Sequence, residues 1–203
     1  MIVIEKIIGM LINRIVYIYF KIVCAGTIEG LPNRSGFVLI ANHASYLDGI
    51  ILSEVMKKIG ISILFFVKEK YASHPILRLT LLRNDYITVS NCGKKIVDMK
   101  NYRKMIKKNM RYIAIFPEGT RNNLEVFGTY KDGAGLLARR LGLPIQPVAL
   151  VGFKNVLPIG KKIPQRFKCK IVFLPEVNSL EKGILDIKKV LAKEIGVVYD
   201  ENR

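Results

Sequence analysis

The stretch Phe37-Val38-Leu39-Ile40-Ala41-Asn42-His43-Ala44-Ser45-Tyr46-Leu47-Asp48 decides the fold. Its first five residues are a short apolar run with β-branched members, the pattern of a buried strand. A helix follows, starting near Ser45 or Asp48 and running to about Lys58. The same alternation continues outward. Ile61 to Val67 reads as a second buried strand, Pro75 to Leu82 as a helix and Tyr86 to Val89 as a short strand. Tyr112 to Phe116 is a buried strand that stops at Pro117. Gly133 to Leu141 is a short helix closed by Gly142. Ile145 to Val151 and Cys169 to Leu174 are strands, and Leu180 to Ile195 a closing amphipathic helix. Strands alternating with helices predict an α/β fold with a mixed, largely parallel central sheet flanked by helices. A turn at Gly30-Leu31-Pro32-Asn33 precedes the first strand.

A length of 203 residues fits one domain and suffices for a sizeable core. No repeat, low-complexity tract or Ser/Gly linker divides it, so residues 26–203 are expected to form the domain and residues 1–25 a helix ahead of it. Half of the residues are hydrophobic, which excludes a disordered chain. The formal net charge is +17, from 33 Lys+Arg against 16 Asp+Glu. Such a surface calls for an anionic partner, either nucleic acid or anionic lipid and its phosphates. Charge alone does not separate the two. The three cysteines, Cys24, Cys92 and Cys169, are far apart and odd in number, which argues against a disulfide framework and fits a reducing, cytoplasmic setting.

Residues Ile2 to Cys24 are apolar but interrupted by Glu5, Lys6, Arg14 and Lys21, so they match neither a secretory signal nor a spanning helix. At about 100° per residue, Glu5, Lys6, Asn13, Arg14 and Lys21 share one half of a helix. Ile4, Ile7, Ile8, Leu11, Ile15, Ile18 and Ile22 share the other. Two readings stay open for this segment taken alone: a helix lying in a membrane interface, or one packed on the protein's own core. Lys94 to Arg111 is a second helical pattern, strongly basic. It is read first as a solvated face and second as a contact for anionic head groups or for phosphates on an acyl carrier.

Two blocks carry chemistry. In the first, Asp48 lies five positions after His43, just beyond a buried strand, where α/β sheets gather their active sites. With a helix starting between them, the carboxylate turns back to the imidazole and fixes its tautomer. The other ring nitrogen is then free to deprotonate a hydroxyl. Taken alone the pair is also what chance supplies, and a buried, satisfied histidine is the commoner case. Ser45 is too close to His43 to be its nucleophile, and no G-x-S-x-G elbow is present. His43, Asp48 and His74 lack the spacing of a metal site. The second block is Phe116-Pro117-Glu118-Gly119-Thr120-Arg121, after another buried strand. Gly119 permits close backbone approach, Thr120 offers a hydroxyl and Arg121 a planar fork for phosphate oxygens. Glu118 is expected to orient Arg121 or a substrate hydroxyl.

Together the blocks resemble the glycerol-3-phosphate/1-acylglycerol-3-phosphate (lysophospholipid) acyltransferase family. There N-H-x-x-x-x-D supplies the catalytic pair and F-P-E-G-T-R binds the acceptor's phosphate. The resemblance implies His43 and Asp48 as catalytic residues and Glu118, Gly119, Thr120 and Arg121 as the acceptor site. Lys131 and Gly133 match a later family position, and Leu143-Pro144-Ile145-Gln146-Pro147-Val148 resembles the block that shapes the acyl pocket. It covers about Gly30 to Val177. One departure stands between the blocks: where the family often carries a phosphate-binding arginine, this chain has Ser90 and Asn91, with Arg83 out of register. That opens the acceptor to other head groups.

The resemblance implies an O-acyltransferase of phospholipid biosynthesis that needs no cofactor or metal. It would take acyl-CoA or acyl-carrier protein as donor and a lysophospholipid as acceptor, foremost 1-acyl-sn-glycerol-3-phosphate, giving phosphatidic acid. It tips the N-terminal helix towards the membrane, on its cytoplasmic face, with membrane lipids rather than nucleic acid as partner. A transfer-inactive binder of anionic lipid or nucleic acid is the rival reading.

Overall fold

The computed structural model describes residues 2–33, 35–72, 74–81, 85–89, 111–122, 130, 132–179 and 184–196. Its centre is a seven-stranded sheet: β1 (Thr27–Glu29), β2 (Phe37–Ala41), β3 (Leu64–Lys68), β4 (Asp85–Val89), β5 (Tyr112–Ile115), β6 (Ile145–Val151) and β7 (Lys170–Phe173). Their order is β1-β7-β6-β2-β5-β3-β4. Strands β6, β2, β5, β3 and β4 run parallel, while β7 runs against β6 and carries β1 beside it. The sheet is therefore mixed and mostly parallel.

The apolar run Phe37–Ala41 is the middle strand, and all five of its residues are buried. Its alternation divides the core. Phe37, Leu39 and Ala41 face one layer, with Ile51, Leu52, Val55 and Met56 of helix α2 (Leu47–Lys58). Val38 and Ile40 face the other, with Ala134, Leu137 and Ala138 of one helix and Ile187 and Leu191 of another. Strands buried on both faces need continuous apolar sequence, and helices cover both faces here.

The remaining helices among the described residues are α1 (Ile2–Ile18), α3 (Glu69–Ala72), α4 (Pro75–Leu81), α5 (Gly133–Leu141), α6 (Phe153–Val156) and α7 (Ile184–Ile195). Several expected boundaries move. The second strand starts at Leu64 rather than Ile61, although Ile61 and Ile63 are buried; burial without sheet pairing gives the same apolar signature. The short strand β1 has no signature in the sequence. Three residues with only Ile28 half-buried leave no apolar run to read. The basic pattern from Lys94 to Lys108, together with Cys92, Ser90, Asn91, Arg83 and Lys131, lies outside the described residues.

The N-terminal helix is seated the opposite way from a helix that packs its apolar face on a core. It continues past Ile18 as a wide π-helical turn, Tyr19–Val23, that brings Phe20 into the core against Phe153, ring centroids 5.9 Å apart. The face it turns to the protein is mixed: Glu5, Gly9 and Asn13 lie inward with partly buried Val16 and Tyr17, while Lys6, Arg14 and Lys21 stay exposed. Asn13 is buried and donates to the Thr80 carbonyl at 3.3 Å, and Glu5 pairs with Arg78 at 2.7 Å. Gly9 lies against the backbone of α4: a Cβ there would stand 2.0 Å from the Leu79 carbonyl oxygen. Ile4, Ile7, Ile8, Leu11, Ile15, Ile18 and Ile22 are all exposed, Ile22 to 74%. No helix among the described residues is long and apolar enough to cross a membrane. At the end of α1, Cys24 and Cys169 are buried free thiols. Burial, and then the neighbouring Cys24, push Cys169 up to about 12.

Candidate active site

Strands β2 and β5 are parallel neighbours with Ile40 opposite Ile115, so the segments leaving their carboxyl ends emerge side by side. The two sequence blocks are those segments. Asn42 anchors the first: its amide nitrogen donates to the Leu150 carbonyl at 3.1 Å and its oxygen accepts from the Leu150 amide at 2.8 Å. That fastens the end of β2 to β6 immediately before His43.

Two hydrogen bonds then join the blocks. The His43 amide donates to Glu118 Oε1 at 3.1 Å, and the Asn122 amide donates to the His43 carbonyl at 2.7 Å. Glu118, expected to orient Arg121 or a substrate hydroxyl, grips the backbone of His43. The turn that aims it, Pro117-Glu118-Gly119, closes with the Gly119 amide on the Phe116 carbonyl at 3.0 Å. Gly119 has φ +65°, a left-handed conformation that strains any residue with a Cβ.

Helix α2 begins at Leu47, so Asp48 sits in its first turn, where the helix dipole and free amides favour an anion. The side chain is fully buried and folds back over residues 43–45. Its Oδ2 accepts from the Ala44 amide at 2.7 Å and the Ser45 amide at 2.8 Å, and lies 2.9 Å from His43 Nδ1. An oxygen already taking two amide protons is an acceptor for the ring as well, so in the neutral imidazole Nδ1 carries the proton and Nε2 keeps its lone pair. The His43 side chain keeps 21% of its surface open to solvent, so it is not a sealed core histidine. Its ring stacks on Phe116, centroids 4.4 Å apart at 23°. Ser45 is fully buried and its hydroxyl accepts from the Leu47 amide, a turn-forming role.

Arg121 is held by aromatic contact. Its guanidinium carbon lies 3.3 Å from the centre of the Tyr46 ring, and Tyr46 meets Tyr71 edge-on at 6.0 Å. Among the described residues it has no carboxylate partner, so a fork of donors stands unpaired three residues from Glu118. Thr120 is exposed beside it. His74, at the head of α4, is exposed, and its carbonyl accepts from the Arg78 amide. Behind the site stands buried Tyr130, whose phenol is raised well above its usual range by burial and then by the Glu118 carboxylate.

The structure thus gathers His43, Asp48, Glu118, Gly119 and Arg121 on one edge of the sheet. It adds three residues the sequence did not mark: Asn42 as the anchor, Phe116 as a wall of the imidazole and Tyr46 as the support of Arg121. All three act across space, and only their place inside the two blocks hinted at them.

Comparison with known proteins bears on the fold and the family. The chloroplastic 1-acyl-sn-glycerol-3-phosphate acyltransferase of Brassica napus is 27% identical over 150 residues, 72% of this chain and 42% of the relative. That of Arabidopsis thaliana is 28% identical over 150 residues, 72% of this chain and 40% of its own. This chain therefore spans about two-fifths of the length of each. The crystal structure of PlsC, the 1-acyl-sn-glycerophosphate acyltransferase of Thermotoga maritima, superposes with a TM-score of 0.68 at 18% identity. It covers 93% of this chain and 80% of its own, which establishes the common fold. The sequence model of the Acyltransferase family matches residues 23–151, a span that holds β2, β5, both blocks and the Asn42 anchor. Fold, paired blocks and family match coincide on the same residues, and the chain belongs to the Acyltransferase family.

Proposed function

We propose that this chain transfers a fatty acyl group from acyl-CoA or acyl-carrier protein to the free hydroxyl of a lysophospholipid. The foremost acceptor is 1-acyl-sn-glycerol-3-phosphate, and the product phosphatidic acid. The observation that carries this reading is the solvent-reaching imidazole of His43, fixed by buried Asp48 and bonded through its backbone to the Glu118–Arg121 block. Nε2 takes the proton from the acceptor hydroxyl, whose oxygen attacks the thioester carbonyl. As the tetrahedral intermediate collapses, the C–S bond breaks and the thiol leaves with the proton returned by the imidazolium. A thioester is activated already, so the protein need supply no nucleophile. Asp48 stabilises the imidazolium, while Arg121 on its aromatic shelf would receive the acceptor's phosphate and hold the hydroxyl in range.

The chain would sit on the membrane's cytoplasmic surface, and the outward apolar row of α1, sunk into the interface, supports a peripheral rather than a spanning seat. Acyl chains enter and leave from that medium.

Purified protein assayed by thiol release against a panel of lysolipids tests the reading. Transfer should be fastest to 1-acyl-sn-glycerol-3-phosphate, and His43→Ala should lose roughly 10²–10⁴-fold, the usual weight of general-base catalysis. Near wild-type turnover by folded His43→Ala overturns the mechanism. Preference for another head group moves the acceptor and keeps the chemistry.

A further inference from the structure

Strand β7 runs against β6, with Lys170 opposite Val151. The segment from Pro158 to Lys168, between α6 and β7, therefore begins and ends at the carboxyl ends of the parallel strands. That is the edge where His43 follows β2 and Phe116 follows β5. Neither the family resemblance nor the two chemical blocks assigns this segment a role.

Its composition is unusual for a surface connection. Ile159, Ile163 and Phe167 are exposed, Ile163 to 79%. Lys161, Lys162, Arg166 and Lys168 alternate with them and are exposed too. No acidic residue occurs from Phe153 to Pro175. Among the described residues none of the four cations has an ion-pair partner. The backbone is fastened. The Lys161 amide donates to the Pro158 carbonyl at 3.0 Å and the Gln165 amide to the Val156 carbonyl at 2.6 Å. The Lys168 carbonyl lies so close to Gly152 that a Cβ there would stand 2.3 Å away. The following Cys169 amide donates to the Cys24 carbonyl at 3.3 Å, which ties the segment to the end of α1. Two exposed apolar surfaces, the α1 row ending at Ile22 and this segment, thus share one anchor.

Apolar knobs on a pinned backbone, interleaved with unpaired cations, fit a surface that is apolar inside and anionic at its face. A second copy of this chain does not fit, because it would set cation against cation on molecules of net charge +17. An acidic carrier protein would match the lysines but leave Ile163 in water. We propose that Pro158–Lys168 is a second membrane-docking element, its apolar side chains entering any bilayer and its cations favouring one with anionic head groups, that joins α1 in holding the His43 edge against the lipid. The proposal deepens the membrane reading above and rests on it.

Vesicle sedimentation of the full chain tests it, using phosphatidylcholine with and without phosphatidylglycerol. Each cation near an anionic surface is worth roughly fivefold in binding, so Lys161→Gln with Lys162→Gln should weaken anionic-vesicle binding by about 25-fold. Binding to neutral vesicles should not change. Ile163→Ser with Phe167→Ser should weaken both by about tenfold or more. Unchanged melting temperatures exclude misfolding. Ile15→Ser with Ile18→Ser on α1 supplies the comparison. If the α1 pair releases the protein and the loop variants bind like wild type, this proposal is overturned while the membrane reading stands. If wild type ignores both vesicles, both fall. If loop variants keep vesicle binding but lose turnover only with the acyl-carrier-protein donor, the segment is a carrier surface and the proposal is wrong.

Discussion

Replacing Asp48 with asparagine isolates what the negative charge does. In serine proteases the equivalent change lets the amide face the imidazole, sets the wrong tautomer and costs about 10⁴-fold. The geometry here forbids that outcome. Oδ2 faces two backbone N–H groups, from Ala44 and Ser45, at 2.7 and 2.8 Å. An NH₂ group placed there would oppose two donors, so the asparagine carbonyl must occupy the position. Its NH₂ then falls at Oδ1, which has no hydrogen-bond partner among the described residues. The carbonyl still accepts from Nδ1, so the tautomer survives and only the imidazolium–carboxylate attraction is lost. Charges about 4 Å apart at an effective dielectric near 20 attract by about 4 kcal/mol. At roughly 1.4 kcal/mol per tenfold, the ceiling is a loss of about 10³ in kcat. Asp48→Asn should therefore lose between about tenfold and 10³-fold in thiol release and melt cooperatively. A loss near the roughly 10⁴-fold of a reversed amide refutes the locked orientation, and full activity refutes the need for the charge.

Three further expectations concern the scaffold. Gly9→Ala forces a methyl into the Leu79 carbonyl and should cost roughly 1–3 kcal/mol by overpacking, read as a lower melting temperature and faster proteolysis within α1; an unchanged melt would mean that α1 does not seat on α4. Asn42→Ala strands the amide and carbonyl of Leu150 and should cost about 2–6 kcal/mol in denaturant unfolding, since each orphaned buried group costs about 1–3 kcal/mol; a loss under about 0.5 kcal/mol contradicts the anchor. Burial and Glu118 hold the Tyr130 phenol well above its usual value of about 10, so the unfolded chain loses this proton first. Stability attached to Tyr130 is complete below pH 10 and declines as pH rises beyond it, and Tyr130→Phe should flatten that decline in alkaline melts.

The parallel part of the sheet was legible because each strand buried on both faces spells a continuous apolar run, and Phe37 to Ala41 matches β2 residue for residue. The meeting of His43 with Asp48 was legible for a related reason: a five-residue separation across a helix start leaves one short path back. The grip of Glu118 on His43 was not, because its partner is an amide 75 residues away that no side-chain pattern announces. Strand β1 hid in three residues with a single half-buried member. The seating of α1 stayed open because periodicity locates an apolar face without saying what covers it, and Gly9 was the unread clue that a backbone would come close there.

The phenyl ring of Phe116 lies nearly flat against one side of the imidazole. A lone pair on Nε2 points along the ring plane, so an alcohol must come in edgewise, skimming that phenyl surface. For the proposed chemistry this makes the slot one-sided: the carbons flanking the hydroxyl slide along hydrocarbon, not water. Acceptors would then be sorted by the shape of those carbons before their head group is felt, and a single aromatic ring would set that filter.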